Sequence, residues 1–206
     1  MGELHVNMHT TLDGVIQANG GPTAQDGDFR YAGWQWPYLD SDSGAQVDAD
    51  VQASDALLLG RTTYDIFRSY WPGQPSEIGR VFDRVPKYVA SRGAPELSWD
   101  TSTQVTDVAT EVRDLRARHE QIHTWGSANL LQTLFREGLV DQVNLWVYPV
   151  VLGEGNKLFP DGTAATRFAQ VEPPRSFPGG VVLMRYRCLE GPPETREVAT
   201  ATTAAD

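Results

Sequence analysis

Ala56-Leu57-Leu58-Leu59-Gly60-Arg61-Thr62-Thr63-Tyr64 is the stretch whose reading decides the fold. Four apolar residues in a row suit a short strand covered on both faces rather than one. Gly60 then breaks the run, and with no Cβ it lets a ligand come close to the backbone. Arg61 carries a fixed fork of donors that matches phosphate. Thr62 or Thr63 is placed to cap a helix, whose unpaired N–H groups also attract anions. Strand, glycine, arginine and helix start together describe a nucleotide-phosphate site. They equally describe a plain strand-to-helix turn with a surface arginine, and this segment alone does not choose between the two.

The rest of the chain narrows the choice. At 206 residues it can bury a full core as one domain, and its apolar fraction of 40% is that of a globular protein. Lys and Arg total 17 against 27 Asp and Glu, a formal charge of −10. With no basic block to offset that charge, neither nucleic acid nor an anionic membrane is an expected partner. An anionic ligand needs a local pocket of arginines, for which Arg61 and Arg92 are candidates. Cys188 is the only cysteine, which removes intrachain disulfides and cysteine-based zinc sites, and no metal is expected. No apolar run approaches ~20 residues. The N-terminus enters a strand-like pattern without a leader, so a cytoplasmic protein is the expectation.

Along the chain, Leu4–Met8 alternates as a first strand and ends at the turn Asp13-Gly14. A polar loop follows, then five aromatics within ten residues: Phe29, Tyr31, Trp34, Trp36 and Tyr38. Pro37 and Gly33 deny them a regular helix, and they read as part lid and part pocket wall. Helices are expected over 42–54, 63–70, 78–84, 108–119 and 130–137. Strands are expected over 57–59, 87–90, 122–125 and 143–151, the last with Val143, Leu145 and Val147 facing one way. Residues 166–171 and 180–189 read as a closing antiparallel pair. The globular part is expected to be 1–190, and the Pro-, Ala- and Thr-rich stretch 191–206 reads as a disordered tail.

Strands and helices alternate through the middle and the chain ends in strands. That is an α/β layered fold, a mixed, mostly parallel sheet with helices on both faces and an antiparallel C-terminal edge. Ligands in such sheets sit at the carboxyl ends of the strands. Gly60-Arg61, Ser91-Arg92 and Gly126-Ser127 all fall at such ends, and three junctions at one sheet edge point to a phosphorylated ligand of dinucleotide size.

These residues carry a resemblance. Leu58-Leu59-Gly60-Arg61-Thr62-Thr63-Tyr64 resembles the strand-G-R-x-T-aromatic junction of dihydrofolate reductases. Thr11-Leu12-Asp13-Gly14 resembles the S/T-L-D-G signature of relatives typified by the C-terminal reductase domain of the riboflavin biosynthesis protein RibD. Trp125-Gly126-Ser127-Ala128-Asn129-Leu130, Gly138 to Val143, and Pro149 to Phe159 fit the same group. The resemblance spans roughly 4–189 and implies a dihydrofolate-reductase-like three-layer fold that binds NADPH. It implies that Gly60, Arg61, Thr62 and Thr63 hold cofactor phosphates and that Ser91 and Arg92 lie at the adenosine end by the 2′-phosphate. Gly126, Ser127, Ala128 and Asn129 would lie under the pyrophosphate. It also implies a homodimer, with Val143–Val151 or the final strands as the contact. The W-x-L-P-x-D/E frame of folate-reducing enzymes is missing around Asp40, Asp42, Asp48 and Asp50, and so is the zinc deaminase half of bifunctional RibD.

Hydride transfer needs a nicotinamide held against an electrophilic carbon and a source of a proton. Asp13 is the first candidate for substrate contact or proton relay, against a turn-forming role before Gly14. Asp40 and Asp42 are the next, against helix capping, which fits Asp42 better. Trp36 and Tyr38 are placed to stack on a planar substrate and Arg30 to meet an anionic group on it. His9 is a possible donor, though a satisfied strand histidine is the simpler reading; His123 reads as packed and His119 as exposed. The expected function is an NADPH-dependent reductase of a small carbonyl or imine, with 5-amino-6-(5-phosphoribosylamino)uracil as the named substrate. A dihydrofolate reductase proper and a non-catalytic NADP-binding dimer are the alternatives.

Overall fold

A computed structural model describes residues 1–195; residues 196–206 of the expected tail lie outside them. In chain order the strands are β1 (Glu3–Thr11), β2 (Ala56–Gly60), β3 (Lys87–Ala90), β4 (Ser102–Val105), β5 (Gln121–Thr124), β6 (Gln142–Tyr148), β7 (Arg167–Gln170), β8 (Arg175–Ser176) and β9 (Val182–Leu189). The helices are α1 (Ser41–Gln52), α2 (Arg61–Tyr70), α3 (Glu77–Arg84), α4 (Val108–Leu115) and α5 (Ala128–Arg136). They build one sheet in the order β4-β3-β2-β5-β1-β6-β9-β7, with β8 beside β9. Every pairing from β4 to β6 is parallel, and β9 runs antiparallel to β6, β7 and β8.

The apolar run of β2 is sealed along its whole length because both faces of the sheet are covered there. Leu58 joins Leu4, Val6, Ile122 and Leu131 in the core beneath α4 and α5. Leu57 and Leu59 join Val51, Tyr64 and Phe82 beneath α1, α2 and α3. A third cluster, Trp34, Trp146, Tyr148, Phe177, Val181 and Leu183, lies under the aromatic loop.

Three expectations need correction. β4 and β8 were not visible in the sequence. Thr62 and Thr63 do not cap α2: Gly60 occupies the cap position and the threonines stand inside the first turn. On β6, Val143, Leu145 and Val147 do share one face, of which Leu145 and Val147 are half-buried, while Asn144, Trp146 and Tyr148 on the opposite face are sealed. β6 also lies between β1 and β9, fully paired on both sides, so it cannot offer a free sheet edge to a second copy; β7 and β4 are the edges.

Candidate functional site

The three glycine–polar junctions lie side by side. Gly60 N–H donates to Gly126 O at 2.9 Å, tying the end of β2 to the turn after β5. A Cβ on Gly60 would stand 2.2 Å from Ser127 Oγ and 2.7 Å from Ser127 N. A Cβ on Gly126 would meet Thr63 Oγ1 at 3.2 Å. The start of α2 and the start of α5, whose cap position is Ser127, are therefore packed together. Neither helix has a side-chain cap, so the N–H groups of both first turns are left to bind something else. Ala128 and Asn129 open α5 at this same place.

The third junction continues the line. Gly60 is in register with Ala90, so Ser91 and Arg92 begin one step beyond Gly60 on the neighbouring strand. Gln104 of β4 holds that loop by donating Nε2–H to Ser91 O at 2.9 Å and to Gly93 O at 2.6 Å. Arg92 is exposed. Arg61 donates Nε–H to Asp65 at 2.6 Å, one turn along α2, which fixes its stem and leaves its guanidinium partly exposed.

Across the crevice, the Thr11-Leu12-Asp13-Gly14 turn is docked on 149–158. Asp13 accepts from Thr11 Oγ1 at 2.6 Å and from the N–H groups of Gly153 at 2.8 Å and Leu152 at 3.3 Å. Desolvation pushes its carboxyl up, but those bonds together outweigh it and hold the pKa below the usual value. Leu158 N–H donates to Gly14 O, and Val15 bridges Lys157. Asp13 thus has a structural job that ties two loops together. Asp40 has one too. Asp40, not Asp42, is the cap of α1, accepting from Asp42 N and Ser43 N while Ser43 Oγ accepts from Asp40 N, and its other oxygen accepts from Gly179 N at 2.8 Å. Those bonds hold its carboxyl low.

The aromatic loop divides. Trp34 is buried edge-on against Tyr148 at 5.1 Å between centroids, and Tyr38 meets the same ring at 6.2 Å. Trp36 is instead 56% exposed and donates Nε1–H to Gly20 O, bracing its own loop. Arg30 is exposed, pairs with Glu154 at 3.0 Å and lies over the ring of Tyr31.

At the centre of this wall stands a pair that the sequence did not single out. His9 Nδ1 lies 2.8 Å from the hydroxyl of Tyr148. In the sequence His9 reads more simply as a satisfied strand histidine, and nothing local marks Tyr148 as its partner. Burial lowers the His9 pKa to about 4, and burial reinforced by the charge of Asp40 raises that of Tyr148 well above its ordinary value. Both groups are neutral at neutral pH. Deeper on the same face, His123 is sealed, stacked on His5 at 5.2 Å, and without a partner for either ring nitrogen among the described residues. His119, expected to be exposed, is half-buried, with Nε2 2.9 Å from Tyr88 Oη. Two hollows of about 400 and 440 Å³ lie elsewhere, beside Trp99 and beside Arg175. They are open surface hollows, so the convergence of junctions marks the site better than cavity size does.

Comparison with known proteins agrees with this architecture. The RibD C-terminal domain model matches residues 3–177. A Bacillus subtilis protein, YyaP, is 29% identical over 187 residues, 88% of this chain and 92% of its own. Among solved structures, a protein described as a riboflavin biosynthesis protein from Shewanella sp. PV-4 superposes with a TM-score of 0.66 at 19% identity, over 91% of this chain and 99% of that one. A pyrimidine reductase-like protein from Corynebacterium diphtheriae gives 0.65 at 15% identity, over 92% and 93%. RibD of Acinetobacter baumannii gives 0.61 at 14%, over 92% of this chain and 58% of that one. At these identities the solved structures establish a shared fold, the dihydrofolate-reductase-like one. The family model, covering most of the chain, establishes more: this protein belongs to the RibD C-terminal domain family.

Proposed function

We propose that the protein is an NADPH-dependent reductase that delivers hydride to a small carbonyl or imine, with 5-amino-6-(5-phosphoribosylamino)uracil as the first substrate to try. The single observation behind this reading is the contact between Gly60 and Gly126–Ser127, which brings two uncapped helix N-termini to one spot at the carboxyl ends of parallel strands. Such a donor set fits a pyrophosphate: the uncapped N–H groups of two helix starts and the hydroxyls of Thr62, Thr63 and Ser127, with the nearby Asp65 carboxylate engaged by Arg61. Exposed Arg92, one strand further along, suits a 2′-phosphate. A bound reduced nicotinamide supplies the hydride. The chain's own residues do the rest. Asp13 and Asp40 hold the loops that wall the site, and Trp34, Tyr38 and Trp146 keep water from its floor. Trp36 and Arg30, on the outer loop, are positioned to meet a substrate's distal end.

Half-buried Leu145, Val147, Met184 and Tyr186, with the more exposed Phe168 and Phe159, form an apolar patch on the other side of the sheet, which suits a homodimer.

Titration with NADPH and NADH, followed by tryptophan quenching, tests the reading. Saturable binding that favours NADPH is expected, and Arg92→Ala should weaken NADPH far more than NADH. No binding of either at millimolar concentration would refute it.

A further inference from the structure

β5 stops at Thr124, opposite Val6, while β1 runs on to Thr11 beside β6. The chain leaves β5 toward the face covered by α4 and α5 and leaves β1 toward the face covered by α1, so a crevice opens between the two strands. His9 lies on β1 three residues past the last pairing with β5, at that crevice. Its ring is stacked on Trp146 at 5.8 Å and 13°, and Trp146 is stacked in turn on Phe177 at 5.2 Å. The imidazole is thus held in one plane.

Its protonation is also held. Tyr148 is fully sealed, and its hydroxyl has one hydrogen-bond partner among the described residues, His9 Nδ1. A sealed phenol proton with no acceptor is strongly disfavoured. Tyr148 therefore donates and Nδ1 accepts, which puts the imidazole proton on Nε2. Nε2 makes no hydrogen bond among the described residues, yet it is not among the polar atoms sealed without a partner. It is a donor on a half-buried residue at the crevice, its ring plane fixed by stacking and its Nε2 without a partner among the described residues.

Resting on the reductase reading above, we propose that His9 is a catalytic residue that donates Nε2–H to the carbonyl oxygen or imine nitrogen of the substrate, with Tyr148 as the positioning residue that sets its tautomer. The bookkeeping of the step closes. A reduced nicotinamide held at the site would supply hydride with its electron pair to the carbon, and the π pair of the C=O or C=N would move to the heteroatom. The heteroatom takes the proton from Nε2, Tyr148 keeps its own proton in its hydrogen bond to Nδ1, and a proton from water entering the crevice restores Nε2–H, so one hydride and one solvent proton are added across the double bond. A neutral imidazole serves here because it polarises the acceptor without placing a buried cation beside it. The donor also sets the substrate class: a C=O or C=N offers a lone pair to Nε2, and an isolated C=C does not.

Long-range proton–nitrogen correlation spectra of the imidazoles in the full-length protein test this without turnover. His9 is expected as the single Nε2–H tautomer at neutral pH, and Tyr148→Phe, checked for folding by circular dichroism, should release it into a mixture. A wild-type His9 that is mixed or Nδ1–H overturns the proposal. Saturating NADP⁺ should then shift the His9 signals; unmoved signals with NADP⁺ bound would place His9 away from the reacting end and also overturn it. Failure of NADP⁺ to bind, with the tautomer still fixed, would instead sink the reductase reading on which the proposal stands. In turnover, Tyr148→Phe and His9→Phe should lower kcat by roughly 100-fold or more with KM little changed. Both should keep wild-type NADPH affinity.

Discussion

Gly60→Ala is the sharpest probe of the site because one methyl group tests the packing of two junctions. Gly60 has φ −67° and ψ 153°, a conformation open to alanine, so the substitution carries no backbone strain. What it adds is contact: the new Cβ falls 2.2 Å from Ser127 Oγ, 2.7 Å from Ser127 N and 2.9 Å from Ser127 Cβ. The hydroxyl can rotate away. The nitrogen cannot, because it belongs to the backbone of the residue at the cap position of α5. Restoring ordinary contact to it requires the two junctions to part by about 0.7 Å, against the 2.9 Å bond from Gly60 N–H to Gly126 O. Overpacking of this kind costs about 1–3 kcal/mol. At roughly 2–4 °C per kcal/mol for a chain of this size, the melting temperature should fall by roughly 2–12 °C. NADPH affinity should fall by about 10-fold or more, since the free N–H groups of both helices move apart. Thermal melts followed by circular dichroism and nucleotide fluorescence titrations measure the two effects. Adding Ser127→Gly, which removes two of the three contacts, should recover part of both losses. Wild-type stability and affinity in Gly60→Ala would mean that the junctions do not touch. A loss of stability with unchanged affinity would separate the junctions from the ligand.

The same substitution elsewhere has the opposite sign. Gly44 lies within α1, where an added Cβ meets nothing within 4 Å, so Gly44→Ala should stabilise the protein by about 0.5–1 kcal/mol; a lower denaturation midpoint in urea would count against the described packing of α1. Acid should weaken the fold before its carboxylates titrate. Burial lowers the pKa of His9 to about 4 and of His123 to about 3, from 6.5, so the unfolded chain binds more protons as pH falls from about 6.5 toward those values. By pH 4.5 each histidine withdraws on the order of 2–3 kcal/mol. Urea midpoints at pH 7, 6 and 5 should decline, and His123→Leu should flatten the decline; an unchanged slope would refute the assignment.

Sequence and structure part company at identifiable places. β2 was legible because consecutive apolar residues have few ways to be buried on both sides at once. β4 reads Ser-Thr-Gln-Val, with only Val105 sealed. An edge strand is held by backbone pairing, which leaves little side-chain pattern to read. Yet Gln104 from that strand supports the Ser91–Arg92 loop. The capping of α1 was legible in principle: Asp40 stands three residues before Ser43, and that reciprocal spacing favours Asp40 over Asp42.

Tyr148 was hidden for a different reason. Alternation on β6 offered two faces, Val143-Leu145-Val147 and Asn144-Trp146-Tyr148, and apolar character alone favours the first. The second is inward because α1 and the aromatic loop cover it, and a buried hydroxyl on that face requires a partner. That partner, His9, is 139 residues away in the chain and is delivered by the parallel register of β1 and β6, which sets His9 opposite Trp146 and Thr11 opposite Tyr148. Phosphate-binding turns are local in sequence, since glycine, hydroxyl and helix start must be contiguous to work. A donor in the reaction site faces no such constraint. It needs only a strand end at the crevice and a neighbour that fixes its proton, and those come from register, which is why the His9–Tyr148 pair could be found only once the strands were laid side by side.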